Sequence, residues 1–139
     1  MTVLDYLGPA LAGLVFIALM SRVPMPARQR FNAVFVGGAG AAYLSGGGFG
    51  PWELAYVVPA TAVAYLGLRD IRWIGVAWAM HTGWDVVHHL YGNPLWPFVA
   101  SSSHGCAIMD AVIAVWFLLG APTSFRAEAA VSSSLTPST

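Results

Sequence analysis

Six arginines, with no lysine beside them, stand at only three places in a chain of 139 residues: Arg22, Arg28 and Arg30, then Arg69 and Arg72, then Arg126. The arginine-free stretches 1–21, 31–68 and 73–125 have room for one apolar helix and two helical hairpins. Only 9% of residues are charged and 58% are apolar, whereas an ordinary soluble domain carries about 25% charge. With a mean hydropathy of +0.68, this composition argues against an ordinary water-soluble globule and against disorder. The expected fold is all-α, a polytopic membrane helix bundle of about five transmembrane helices. It forms a single transmembrane domain over 1–122, followed by a polar, disordered tail over 123–139.

The expected spans are 3–20, 31–49, 52–68, 73–91 and 104–121. S-R-V-P-M-P-A-R-Q-R after the first has two prolines and three arginines and reads as a solvated connection. In the second, Ala33, Gly37 and Ala41 recur every four positions, as do Gly38, Ala42 and Gly46, giving two small faces for close helix approach. Pro59 predicts a kink near Ala55 in the third. Between the last two, G-N-P-L-W-P-F-V-A-S-S-S places Trp96 and Phe98 in an interfacial segment, and Ser101 to Ser103 read as a polar turn or helix cap. The positive-inside rule then places the protein in the cell membrane as a multi-pass chain, N-terminus outside and C-terminus cytoplasmic. The apolar run begins almost at Met1 with arginines after it, the reverse of a secretory signal, so the first helix is expected to be retained. The lone Cys106 cannot form an intrachain disulfide, and zero net charge offers no surface for nucleic acid.

The fourth segment, W-I-G-V-A-W-A-M-H-T-G-W-D-V-V-H-H-L-Y, gathers His81, Asp85, His88 and His89 into an otherwise apolar run. An ionisable residue in such a place costs at least about 2.5 kcal/mol on membrane-insertion scales, which argues for function. On a helix, His81, Asp85 and His88 share about 60 degrees of arc, and His89 widens it to about 100 degrees. Asp110 follows His104 by six residues as Tyr91 follows Asp85, so the two aspartates are expected at matching depth on facing helices. Imidazole with carboxylate suits a divalent transition metal such as zinc, iron or manganese. The expected ligands are Asp85, His88, His89, Asp110 and His104, with Asp85 as pivot. His81 and His88 lie about 10.5 Å apart along a straight helix, too far to share one ion, and His81 is assigned to catalysis as a proton relay. Trp78, Trp84 and Cys106 read as packing residues.

No phosphate-binding glycine loop, zincin motif or G-x-S-x-G elbow is present. The boxes around His81 and His88 resemble, locally, the histidine boxes of membrane di-iron desaturases and hydroxylases. Taken whole, H-T-G-W-D-V-V-H-H-L-Y-G-N-P-L-W-P-F at 81–98 and S-S-S-H-G-C-A-I-M-D-A-V-I-A-V-W-F-L-L-G-A-P at 101–122 resemble a family of short bacterial integral membrane proteins known only as domain of unknown function 6010. The resemblance implies a multi-span protein whose signature includes His81, Asp85, His88, His89, Gly105, Cys106 and Asp110, and it implies no activity. The leading expectation is a metal-dependent enzyme acting on a lipid or other apolar small molecule, with the bilayer as partner and homo-oligomerisation compatible with it. The alternatives are a proton- or cation-coupled transporter and a structural or partner-binding membrane subunit.

Overall fold

The computed structural model describes residues 2–123, so most of the expected tail, with Arg126, lies outside the described residues. Five α-helices are present: α1 Leu4–Met20, α2 Ala27–Gly40, α3 Glu53–Leu66, α4 Arg72–Tyr91 and α5 Ser102–Leu118. Two short 3-10 turns, Ala42–Ser45 and Gly50–Trp52, join α2 to α3.

Local chemistry explains the ends. Rich in leucine and alanine, α1 keeps its helix through Pro9. Pro24 and Pro26 precede α2, the latter at its N-cap, and the helix stops where Gly37, Gly38 and Gly40 weaken helix propensity. At the start of α3 come Pro51 and an acidic first-turn residue, Glu53, and the helix continues through Pro59. Asp70 Oδ1 accepts the Arg72 N–H at 2.9 Å ahead of α4, and His88 and His89 occupy its last turn before Gly92. Ser102 and Ser103 accept the Trp96 and Leu95 N–H groups, so the serines tie the incoming loop to the first turn of α5.

The five-helix, all-α architecture agrees with the sequence, but the membrane bundle does not: among the described residues no helix is long and apolar enough to cross a membrane. A span needs about 20 predominantly apolar residues. The helices α1 and α5 have 17 each and α2 and α3 only 14. At 20 residues α4 is long enough, but it carries Arg72, three histidines and Asp85. The expected spans over 31–49 and 52–68 fail because the glycine-rich stretch between them is turn rather than helix. The multi-pass placement in the cell membrane and the outside-to-inside orientation fall with them. The first arginine loop is also less solvated than expected, since Arg28 belongs to α2, is buried, and lies 5.5 Å from the centre of the Trp116 ring.

The core is centred on α4 and α5, which share the most extensive interface, with α1 against α5 and α2 and α3 closing the other side. Ile74, Trp78, Ile113 and Phe117 are fully buried there, with Phe16 and Ile17 of α1 and Ala33, Val36 and Ala64 around them. As residue number rises on α4 it falls along α5: Gly75 faces Leu118, His81 meets Asp110, and His89 meets His104. This antiparallel register carries the site. Between α2 and α3 the small face at Ala33 and Gly37 is used, a Cβ at Gly37 falling 3.6 Å from that of Ala64, while the face at Gly38 is open. The Leu7, Leu11 and Leu14 side chains of α1 are exposed, so not all of the apolar composition lies in the core.

The α4–α5 contact predicts opposite outcomes at two glycines of one helix. A Cβ at Gly75 would lie 2.6 Å from the Leu118 nitrogen and 2.9 Å from the Ala114 carbonyl oxygen, whereas at Gly83 it would meet nothing within 4 Å. Gly75→Ala should cost about 1–3 kcal/mol by overpacking. Gly83→Ala should gain up to about 1 kcal/mol from helix propensity. Urea unfolding midpoints of the two variants and the parent check both signs.

Candidate metal centre

One face of α4 turns His81, Asp85 and His88 into the interior, and α5 contributes Ser103 and Asp110. All five are buried, Asp85 completely. His81 Nδ1 stands 2.7 Å from Asp110 Oδ2 and 3.3 Å from Asp85 Oδ2, so one imidazole nitrogen serves two carboxylates from two helices. Its other nitrogen, Nε2, is buried with no hydrogen-bond partner among the described residues. Tyr43, Tyr56 and Trp78 surround the ring with centroids 5.9–6.5 Å away.

Asp85 has a second set of partners. Its Oδ1 lies 2.8 Å from the Tyr43 hydroxyl, which lies 2.9 Å from Ser103 Oγ. A phenol has one hydrogen, and an ionised carboxylate can only accept. Tyr43 therefore donates to Asp85 and accepts from Ser103, and Ser103 accepts from the Leu95 N–H at 3.1 Å.

Electrostatics follows from burial. Desolvation works against the His81 imidazolium, but the hydrogen bonds and charges of Asp110 and Asp85 outweigh it and raise its pKa to about 10. Burial lifts Asp110 to about 6, against the lowering effect of His81. Burial beside the two aspartates also pushes the Cys106 thiol up to about 12 and the Tyr43 and Tyr56 phenols well above their usual range. Cys106 is therefore a protonated thiol at neutral pH, in keeping with its reading as a packing residue. His81 is the ion-pair partner of both aspartates among the described residues, so with both ionised the group carries net negative charge even when the imidazole is protonated. One atom each from His81, Asp85 and Asp110 lie within 4.8 Å of one another, a set that could hold a metal ion.

The expected ligand set is thus divided. Asp85 and Asp110 come together, and His81, expected as a proton relay, stands between them as the nitrogen donor. His88 is turned away although it shares the buried face: Nδ1–H donates to the Trp84 carbonyl at 3.0 Å and Nε2 lies 3.1 Å from Glu53 Oε1. His89 is exposed, and its ring stands 5.1 Å from that of His104, which is half-buried and meets Tyr6 edge-on. Three of the expected ligands, His88, His89 and His104, therefore lie outside the buried triad.

The sequence reading passed over two participants, Tyr43 and Glu53. Glu53 is buried at the start of α3, accepts from the Phe49 N–H at 3.3 Å and Trp84 Nε1 at 3.2 Å, and faces His88. Because His88 Nδ1 spends its hydrogen on a carbonyl, the Nε2 contact with Glu53 requires a second proton on one partner. Trp84 thus does more than pack. An isolated glutamate beside a glycine run was the available signal; Tyr43, set among small residues, offered none.

Residues 4–123 match the model of a family described only as of unknown function, DUF6010. No curated protein matches the chain, and no solved structure matches it. The family match brings with it no activity, membrane location or bacterial source. Covering all five helices and the His81, Asp85 and Asp110 group, it shows that the chain belongs to the DUF6010 family.

Proposed function

We propose that the protein holds one divalent transition-metal ion between α4 and α5, on His81, Asp85 and Asp110, and uses it as a metal-dependent enzyme on a small apolar molecule. The observation that carries this reading is the convergence of one imidazole and two carboxylates, all buried, within 4.8 Å. A mixed nitrogen and oxygen set suits zinc, iron or manganese. Three protein ligands leave coordination positions open, as catalytic sites require, and an ion there would polarise a bound oxygen or activate water. A groove of about 330 Å³ between α1 and α5, largely apolar but with Asp5 and Ser102 in its lining beside Leu4, Pro9, Cys106 and Met109, offers room for a small molecule, although none of the three ligands lines it. Transport finds no support, since among the described residues no helix is both long and apolar enough to cross a membrane.

One observation favours a second reading. The 2.7 Å contact between His81 and Asp110 already joins α4 to α5 without an ion, so the group can serve as an interhelical pin. Metal content separates the two. Purified protein equilibrated with zinc, manganese or ferrous iron and then dialysed should retain about one ion per chain by elemental analysis. Asp85→Asn and Asp110→Asn should each abolish retention, while the His88→Ala/His89→Ala double variant should keep it. Metal-free wild type after this treatment would leave the pin as the function of the group.

The same residues predict opposing pH trends. In metal-free protein His81 is raised from 6.5 to about 10, so its stabilising contribution is complete below about 6.5 and lost as pH rises through 10. Asp110, raised from 3.8 to about 6, binds its proton more tightly in the folded state, so stability also falls between those values as pH rises. Urea midpoints should therefore decline from pH 7 to pH 9.5 for metal-free wild type and decline much less for His81→Gln, where the remaining slope comes from Cys106, whose raised pKa also costs stability once pH passes its ordinary value. Metal affinity should run the other way, weakening on acidification as protons compete for the ligands. Equal midpoints for metal-free wild type at the two pH values would contradict the charge assignment.

A further inference from the structure

Tyr43 is nearly completely buried although it sits in a single 3-10 turn, Ala42–Ser45, next to the glycine run. Each side of this residue is engaged. Its hydroxyl holds Asp85 Oδ1, the oxygen opposite the one that faces His81, and receives the Ser103 hydroxyl. Its ring stacks on His88 with centroids 3.6 Å apart and planes 21° apart. His88 in turn is fixed by the Trp84 carbonyl and Glu53. Rotation of the phenol is therefore blocked by a pinned imidazole on its face, and the direction of its hydrogen is set by the serine behind it.

We infer that Tyr43 is the positioning residue of the metal site: it fixes the carboxylate plane of Asp85 so that Oδ2 stays beside His81 and Asp110. The inference rests on the metal reading above. Asp85 is completely buried, with Oδ1 held by the Tyr43 hydroxyl and Oδ2 beside His81. Loss of the phenol hydroxyl leaves Oδ1 without its donor, and a buried carboxylate so placed turns toward another partner. That turn removes a correctly aimed ligand. Hydrogen-bond partners that orient metal ligands typically contribute 10–100-fold in affinity, which sets the expected effect. Ser103 acts one bond further back and should contribute less.

The test is cobalt(II) titration of the full chain, followed by calorimetry and visible absorption. Wild type should bind about one ion. Tyr43→Phe, which keeps the ring stack on His88, should raise the dissociation constant about 10–100-fold and alter the cobalt absorption bands, which report ligand geometry. Ser103→Ala should shift both in the same direction by less. A purely structural Tyr43 would lower the unfolding midpoint of metal-free protein while leaving affinity and cobalt bands unchanged, and that result would overturn the inference while the metal reading stood. Should Tyr43→Phe fail to fold, Ser103→Ala decides alone, with unchanged affinity and bands counting against the inference. Wild type that binds no cobalt, zinc, manganese or ferrous iron would remove the metal reading and this inference together.

Discussion

A buried carboxylate needs a partner, and the register of α4 against α5 follows from how Asp85 and Asp110 find theirs. Both reach the same imidazole nitrogen of His81, one from its own helix four residues on and one from across the interface. A slip of one helical turn, about 5.4 Å, would leave at least one charge unpaired in an apolar interior, a loss that breaking a buried pair puts at about 3–5 kcal/mol. The apolar contacts around Ile74, Trp78, Ile113 and Phe117 supply cohesion but tolerate sliding better than charges do. The polar group therefore specifies the alignment that the apolar group stabilises.

How much of this was legible in the sequence depended on the range over which the signal acts. His81, Asp85 and His88 fall on one face because helical periodicity is local, and six-residue offsets on two helices brought Asp85 and Asp110 into one group, although the register sets Asp110 opposite His81, one turn of α4 from Asp85. Helical reach was misread. The 58% apolar content measures how much surface seeks cover, not how long each helix runs. Length is decided by breakers: the weakening at Gly37, Gly38 and Gly40, then the turns around residues 46–50, limit α2 and α3 to 14 residues each. Read as a continuous apolar stretch, that hairpin looked like two full spans.

Partners distant in sequence were not legible. Glu53 finds His88 across 35 positions, Tyr43 finds Asp85 across 42, and Tyr43 finds Ser103 across 60. No periodicity within α4 announces that His88 faces a glutamate of α3 while His81, seven residues earlier, faces an aspartate of α5. Spacing along one helix gave His88 and Asp85 as natural co-ligands, but side-chain direction separates them. The two histidines share a stripe and serve different acids.

These two acid–histidine groups are held together by the 3-10 turn that carries Tyr43, and its placement explains where glycine is required. For Tyr43 to lie against His88 and still reach Asp85, the chain leaving the turn must pass directly over the Glu53–His88 pair. A Cβ at Gly47 would collide with Glu53 Oε1 and come within 2.6 Å of His88 Nε2. From the other side, a Cβ at Gly92 would fall 2.8 Å from the Gly47 carbonyl oxygen and 2.9 Å from His88 Cδ2. Asn93 completes the closure, its backbone N–H donating to the Gly47 carbonyl at 2.8 Å and its side chain to that of Gly46 at 3.0 Å. Gly48, at φ +101°, turns the chain away through a conformation that other residues rarely adopt. The glycine run at 46–48, one 3-10 turn beyond the end of α2, is thus what lets a loop backbone seal the polar interior.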